Sequence, residues 1–288
     1  MKAIIFGAGG QDGVYLARLL ENSGVAVTPV GRKSAAGDTD LASFDSVATL
    51  IRQAQPDYIF HLAAVSSVSH QYILENHQTI CTGTIHILEA VKQFCPAARV
   101  FISGSALQFQ NDGHPISEKN PFEARDAYSL CRIQSVLSAR YYRSLGIKTY
   151  VGYFFNHDSP LRSERHMTKK IAEAAKRIAA GSKEQLMIGD LGAIKEYTFA
   201  GDVVNAVWTL VNQDAVSEAV IGSGIGFSIT DWLEACFGLA GKNWQDHVVR
   251  DEQFVSGYRR LVADPALIRS LGWEPAVDFK QLAQMMMQ

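Results

Sequence analysis

Ser105, Tyr128 and Arg132 have the types and spacing for proton and hydride chemistry. Tyr128 and Arg132 stand four residues apart in a helical pattern, so they share a face. A free phenol has a pKa of about 10 and is a poor base at neutral pH. A neighbouring cation favours the phenolate, and a serine hydroxyl can hold a substrate oxygen. A phenol that trades a proton while a nicotinamide trades a hydride interconverts an alcohol and a ketone. Taken alone, the same residues also read as a tyrosine and an arginine on a helix surface. The chemistry requires a dinucleotide site, and the N-terminal stretch carries a pattern for one.

That stretch begins with Ala3 to Phe6, an apolar run that reads as a buried strand. Gly7, Gly10 and Gly13 follow, with Gly9 between them and Gln11 and Asp12 in the same turn. Val14, Leu16, Ala17, Leu19 and Leu20 then give a helical pattern. Strand, glycine turn and helix in this order form the context of a dinucleotide-binding fingerprint. One glycine allows the turn, one admits a pyrophosphate and one lets helix and strand pack closely. The free N–H groups of the helix start face the phosphates.

Ala26 to Val30 reads as the second strand and runs into Gly31-Arg32-Lys33-Ser34. An acidic residue at this place binds a ribose 2′-hydroxyl, whereas Arg32 suits a 2′-phosphate. NADP is therefore the expected cofactor, with NAD the alternative. Asp40 and Leu41 fall where an adenine would cross the sheet edge. The strand from Tyr58 ends in Leu62, Ala63 and Ala64, whose small side chains leave room beside the backbone or simply pack closely.

Stepping along the chain, strand and helix patterns alternate through its first half. That predicts an α/β fold with a doubly wound parallel sheet. Only about a dozen residues separate Val30 from the helix at Phe44, so a third strand beyond the second is expected to be absent or vestigial. A dinucleotide-binding domain is expected over 1–155. A smaller substrate lobe is expected over 156–288, with segments returning to the main domain. With 27 Lys and Arg against 29 Asp and Glu, no nucleic-acid partner is expected. Four scattered cysteines read as reduced thiols, so no metal or disulfide framework is expected. No apolar run is long enough for a membrane span, and the expected location is the cytoplasm.

The chain resembles extended short-chain dehydrogenase/reductases of the nucleotide-sugar branch, and within them GDP-mannose 4,6-dehydratases. The resemblance rests on Gly7–Gly13, Pro56–Ala64, Gly83–Ala90 and Ala127–Arg132. The most specific block is Phe155-Asn-His-Asp-Ser-Pro160, followed by Thr168–Ile171, Ile188–Lys195 and Leu271–Pro275. It implies that Asn156, Lys170, Lys195 and Arg259 contact a nucleotide diphosphate sugar, with GDP as the expected nucleotide. It also implies that His157 and Arg162, like Tyr128 and Arg132, lie at the cofactor. A homodimer built from the helices near 72–94 and 127–145 follows from the same likeness.

Three departures bear on activity. Arg132 stands where the family has lysine, and a planar guanidinium does not reproduce a compact ammonium. Leu107 stands two residues after Ser105, where the family carries an acid for loss of water. The segment after the second strand is short. These favour a reductase or epimerase of a nucleotide-linked keto sugar. The alternatives are a true 4,6-dehydratase that borrows an acid from Glu118, Glu123 or Asp126, and a non-catalytic protein that binds nucleotide sugars.

Overall fold

The first strand, Lys2–Phe6 (β1), alternates its side chains between two covered faces: Ile4 and Phe6 enter one apolar cluster, Ala3 and Ile5 another. A strand buried on both faces belongs inside a parallel sheet with helices on each side. The computed structural model, which describes residues 1–31, 39–254 and 256–288, has that arrangement. Its other main strands are Ala26–Val30 (β2), Tyr58–His61 (β3), Arg99–Ser105 (β4), Thr149–Phe154 (β5) and Glu218–Ile221 (β6). The six lie in the order β2-β1-β3-β4-β5-β6, all parallel.

The helices Phe44–Ala54 (α2), Gly83–Phe94 (α3) and Ala127–Ser144 (α4) cover one face through Val47, Ile51, Leu88, Val91, Val136 and Ala139. The other face meets Leu16 and Leu20 of Gln11–Asn22 (α1) and Val203, Val207 and Leu210 of Ala200–Val211 (α6). The chain leaves β1 for β2 on one side and continues to β3 on the other. The strand order therefore reverses at β1, and the crevice beyond its carboxyl end is where such sheets bind ligands.

A third apolar cluster lies away from the sheet. Helix Met167–Ala179 (α5) packs there with Ile229–Leu239 and Phe279–Met287 around Trp232. Short pairings accompany it, among them Leu186–Ile188 with Val248–Arg250.

Some features agree with the sequence expectation and others depart from it. β2 is an edge strand, and among the described residues no strand lies between it and α2. The basic residues Arg32 and Lys33 fall outside the described residues. The helix expected over 72–94 is interrupted: Ile73–Asn76 is α-helical, His77–Thr82 is π-helical and α3 then resumes. The buried Asn76 just before the interruption accepts the Val65 N–H through its side-chain oxygen at 2.9 Å, which ties this turn to the chain leaving β3. β6 and Phe279–Met287 went unanticipated. β6 has only four residues, and its head, Glu218, is a carboxylate held by Arg140, Arg143 and the Tyr153 hydroxyl. Among the described residues no helix is long and apolar enough to cross a membrane. Nor does any group of three or more His, Cys, Asp or Glu among them have the placement to hold a metal.

Candidate active site

Two adjoining cavities open at the carboxyl ends of β1, β3 and β4. The larger, of about 840 Å³, sits at the topological switch. Its floor is the glycine turn. Gly7 has φ +91°, and a Cβ there would lie 2.7 Å from the Ala63 nitrogen. A Cβ at Gly13 would lie 2.4 Å from the Gly7 oxygen, so α1 can approach β1 only with glycine at both positions. Gly9 behaves differently: a Cβ there would meet nothing within 4 Å and would stand in the open cleft. Gly10 caps α1 without a side-chain hydrogen bond, leaving the helix start to a ligand. Open space over bare amide groups fits a pyrophosphate.

Gln11, Asp12, Asp40, Leu41, Leu62, Ala63, Ala64 and Arg162 line the same cleft with Gly7, Gly10 and Gly13. Asp40 and Leu41 are held in place from two sides. The Asp40 carboxylate accepts the Ala42 N–H at 2.9 Å, and the Leu41 carbonyl lies 2.9 Å from the His86 Nδ1.

The smaller cavity, of about 250 Å³, shares Asp12, Leu62, Ser66 and Arg162 with the first. Ser105, Leu107, Tyr128, Arg132, Asn156 and His157 meet there. Ser105 ends β4 and caps the turn Ala106–Gln108: its Oγ accepts the Leu107 N–H at 3.2 Å, and Gln108 accepts the Ser105 N–H. That geometry aims the Leu107 side chain at the cavity and core while the serine O–H keeps its donor capacity.

Arg132 is 4% exposed, and its guanidinium carbon lies 5.0 Å from the centre of the Tyr128 ring. Its Nη1 donates to the Ser103 carbonyl and, at 2.7 Å, to the Ser103 hydroxyl. The cation is thus fixed beneath the phenol by β4. Next to it, burial and then the Arg132 charge push His61 down to about 3, so its imidazole is neutral. Tyr128, Arg132 and His157 border the smaller cavity and not the dinucleotide cleft.

His157 and Asp12 bridge the two spaces. The His157 Nε2 lies 2.9 Å from the Asp12 Oδ1, and its Nδ1 lies 2.7 Å from the Phe155 carbonyl. Both ring nitrogens face acceptors, which suits an imidazolium. Burial works against the charge, but attraction and a hydrogen bond from Asp12 raise the His157 pKa nonetheless. Burial likewise opposes the Asp12 carboxylate, and the His157 charge holds it below its ordinary value.

Of the remaining candidates only one lines either cavity, and the segments of Lys195 and Arg259 are paired, the Arg259 carbonyl accepting the Ile194 N–H at 2.9 Å. Asn156 borders the smaller cavity with Tyr258. Lys170, Lys195 and Arg259 border neither cavity. Lys170 is exposed and donates to the Met187 carbonyl at 3.2 Å. The Lys195 ammonium lies 5.2 Å from the Tyr197 ring centre, and burial pushes its pKa down. Arg259 is exposed. The three spare carboxylates are engaged elsewhere: Glu118 accepts the Val220 N–H, Glu123 pairs with Arg125, and Asp126 caps α4 through the Ser129 N–H. Asp12 alone contributes a carboxylate to the described lining of the smaller cavity.

His166 and Tyr258 also line that cavity and were missed from sequence. His166 immediately precedes α5, a position where a polar side chain sits at the mouth of a site. Tyr258 lies in an irregular segment with no periodicity to mark it.

A doubly wound sheet with this glycine cradle and a serine, tyrosine and arginine at its mouth defines the short-chain dehydrogenase/reductase type of fold. Solved structures share it. RMD from Pseudomonas aeruginosa, solved with NADPH, superposes with a TM-score of 0.88 at 22% identity over 99% of this chain and 97% of that one. UDP-glucose 4-epimerase from Thermotoga maritima, solved with UDP-glucose, gives 0.89 at 19% identity over 100% and 97%. The sequence is more specific. The GDP-mannose 4,6 dehydratase family model matches residues 4–286, and the chain belongs to that family. GDP-mannose 4,6 dehydratase 2 of Arabidopsis thaliana is 29% identical over 99% of this chain and 85% of its own length. The enzyme of that name from Vibrio cholerae serotype O1 is 28% identical over 81% and 70%.

Proposed function

We propose that the protein is an NADP-dependent reductase or epimerase of a GDP-linked 4-keto sugar. The observation that carries this reading is Leu107. It lies in the same cavity as Ser105 and Tyr128, where loss of water would need a second proton carrier, and the nearby carboxylates are engaged elsewhere. Asp12, the exception, is tied to His157.

Gly7, Gly10, Gln11, Asp12 and Gly13 would hold the pyrophosphate, Asp40 and Leu41 the adenosine end, and Arg32 a 2′-phosphate. A nicotinamide cofactor bound there supplies or accepts a hydride at a carbinol carbon. Ser105 donates to the sugar oxygen and orients the carbonyl. Tyr128 gives its proton to that oxygen as the carbon is reduced, and solvent restores the phenol. Arg132, anchored on Ser103, keeps a positive charge beside the ring throughout. Asn156 would position the sugar, and the resemblance assigns Lys170, Lys195 and Arg259 to the diphosphate and nucleoside, although they border neither cavity.

Exposed apolar residues support a homodimer. Leu74, Ile85, Leu130, Leu137 and Tyr141 are 76%, 46%, 39%, 51% and 60% exposed; Leu74 lies in the short helix Ile73–Asn76, Ile85 in α3 and the other three in α4. Burying such faces against a second copy would remove them from water.

The test is NADPH consumption with a panel of GDP-4-keto sugars. Turnover with at least one of them, abolished by Tyr128→Phe, is expected. Dehydration of GDP-mannose by the native protein at about 1 s⁻¹ or faster, an ordinary enzyme rate, would refute the reading.

A further inference from the structure

His166 stands in the substrate cavity with Ser105, Leu107 and Tyr128, and nothing in the structure uses its ring. The other two histidines near the site are committed: His61 lies 3.1 Å from the Thr79 carbonyl, and His157 is held at both nitrogens. His166 precedes α5 in extended backbone, with φ −92° and ψ 136°, but makes no side-chain cap. Its backbone is engaged at both ends, its N–H donating to Ser163 and its carbonyl accepting from Lys170. The loop therefore fixes the backbone at His166, and among the described residues no side-chain hydrogen bond engages its ring nitrogens.

We infer that His166 is the cavity's second proton carrier and that it acts on the carbon next to the sugar ketone. This rests on the 4-keto-sugar reading above. The imidazole takes the proton from that carbon. The C–H electron pair becomes the C–C π bond, and the carbonyl π pair moves to oxygen, giving an enolate. Ser105 and Tyr128 hydrogen-bond that oxygen. The imidazolium then returns a proton to carbon and the ketone reforms. No oxidant or hydride is needed, and the histidine ends as it began. Once the imidazolium has traded its proton with solvent, the step would let one cavity exchange the hydrogen beside the ketone before reduction fixes the product.

The surroundings suit a base. Burial and then the Arg162 charge push His166 down to about 4; Asp158 opposes this, while Lys195 and His157 reinforce it. The ring is thus unprotonated across the neutral range and remains so well below the ordinary histidine value of about 6.5.

The experiment uses the full chain, a GDP-linked 4-keto-6-deoxyhexose and deuterium oxide, without NADPH, and reads one-dalton gains in the sugar by mass spectrometry. Exchange well above the buffer rate is expected. His166→Asn should lower it by about 10²–10⁴, the usual worth of a positioned acid or base. NADPH binding to the variant reports on folding. Added imidazole should restore exchange to His166→Gly. The native rate should stay level from roughly pH 8 to roughly pH 5, where an ordinary histidine would already be mostly protonated. Undiminished exchange in His166→Asn, or none in a native protein that oxidises NADPH, overturns the inference. Exchange without any NADPH oxidation leaves the inference standing and refutes the reductase.

Discussion

Replacing Asp12 with asparagine removes half of the ion pair that joins α1 to the segment after β5. The pair is short, 2.9 Å, and its side chains are 22% and 10% exposed. Breaking a fully buried pair costs about 3–5 kcal/mol. The partial exposure of Asp12 lowers the expectation to about 2–3 kcal/mol, or about 4 °C in Tm for a chain of this size. The signature is its pH dependence. His157 has a raised folded pKa, so its stabilisation is complete below the unfolded value of about 6.5 and is lost as pH rises through the folded value. Asp12 has a lowered folded pKa, so its share is complete above about 4 and is lost as pH falls through the folded value. Between roughly pH 4 and 6.5 both are present. Urea unfolding of native protein and Asp12→Asn should therefore differ most near pH 5.5 and much less near pH 9. What survives at high pH is the favourable carboxylate in the first turn of α1, about 0.3–1 kcal/mol. An equal difference at both pH values would show that His157 is neutral in the folded protein.

Gly13→Ala places a methyl group 2.4 Å from the Gly7 oxygen and 2.6 Å from the Ala8 Cα, so α1 must move; a loss of about 1–3 kcal/mol in urea unfolding and weakened NADPH binding are expected. Arg32→Ala should weaken NADPH by about one to two orders of magnitude in a fluorescence titration and leave NADH nearly unchanged, since a charged hydrogen bond to phosphate contributes about 1.5–3 kcal/mol. Leu107→Glu combined with Arg132→Lys should gain 4,6-dehydration of GDP-mannose, measured as keto-sugar formation, relative to the native protein. No gain would mean that more than those two side chains separates this cavity from a dehydratase.

The elements that place the site were legible because each has a strong local cause. A run such as Ala3–Phe6 with no polar member, closed by glycine, has no stable home except a buried strand before a tight turn. The spacing of Gly7 and Gly13 was equally readable, since backbone contact at both leaves no other residue type. What stayed hidden depends on distant chain. β6 is a strand because Arg140 and Arg143 of α4 and Tyr153 of β5 hold Glu218 at its head, contacts that cross at least 65 residues. The π turn before α3 changes the facing of Gln78 and Thr79 without any breaker residue to announce it. Lys170, Lys195 and Arg259 share a charge type but border neither cavity, which spacing alone cannot reveal.

The same distinction explains the reading of the cavity. Leu107 is informative from sequence only as a missing acid; the structure adds that Glu118, Glu123 and Asp126 are each bound into a hydrogen bond or ion pair of the fold and are not spare. Arg132 looks like a simple exchange of one cation for another, yet its Nη1 is spent on two Ser103 oxygens, which a lysine ammonium could satisfy only by a different path. On the proposed reading, a cation fixed under the phenol and a neutral imidazole facing the same space would divide the proton work between two groups. One group would serve the oxygen and the other carbon. Dehydration would also need an acid for a departing oxygen, and Leu107, which lines the cavity, cannot supply one. That division of labour is what the proposed keto-sugar chemistry, at a carbonyl and its neighbouring carbon, would require.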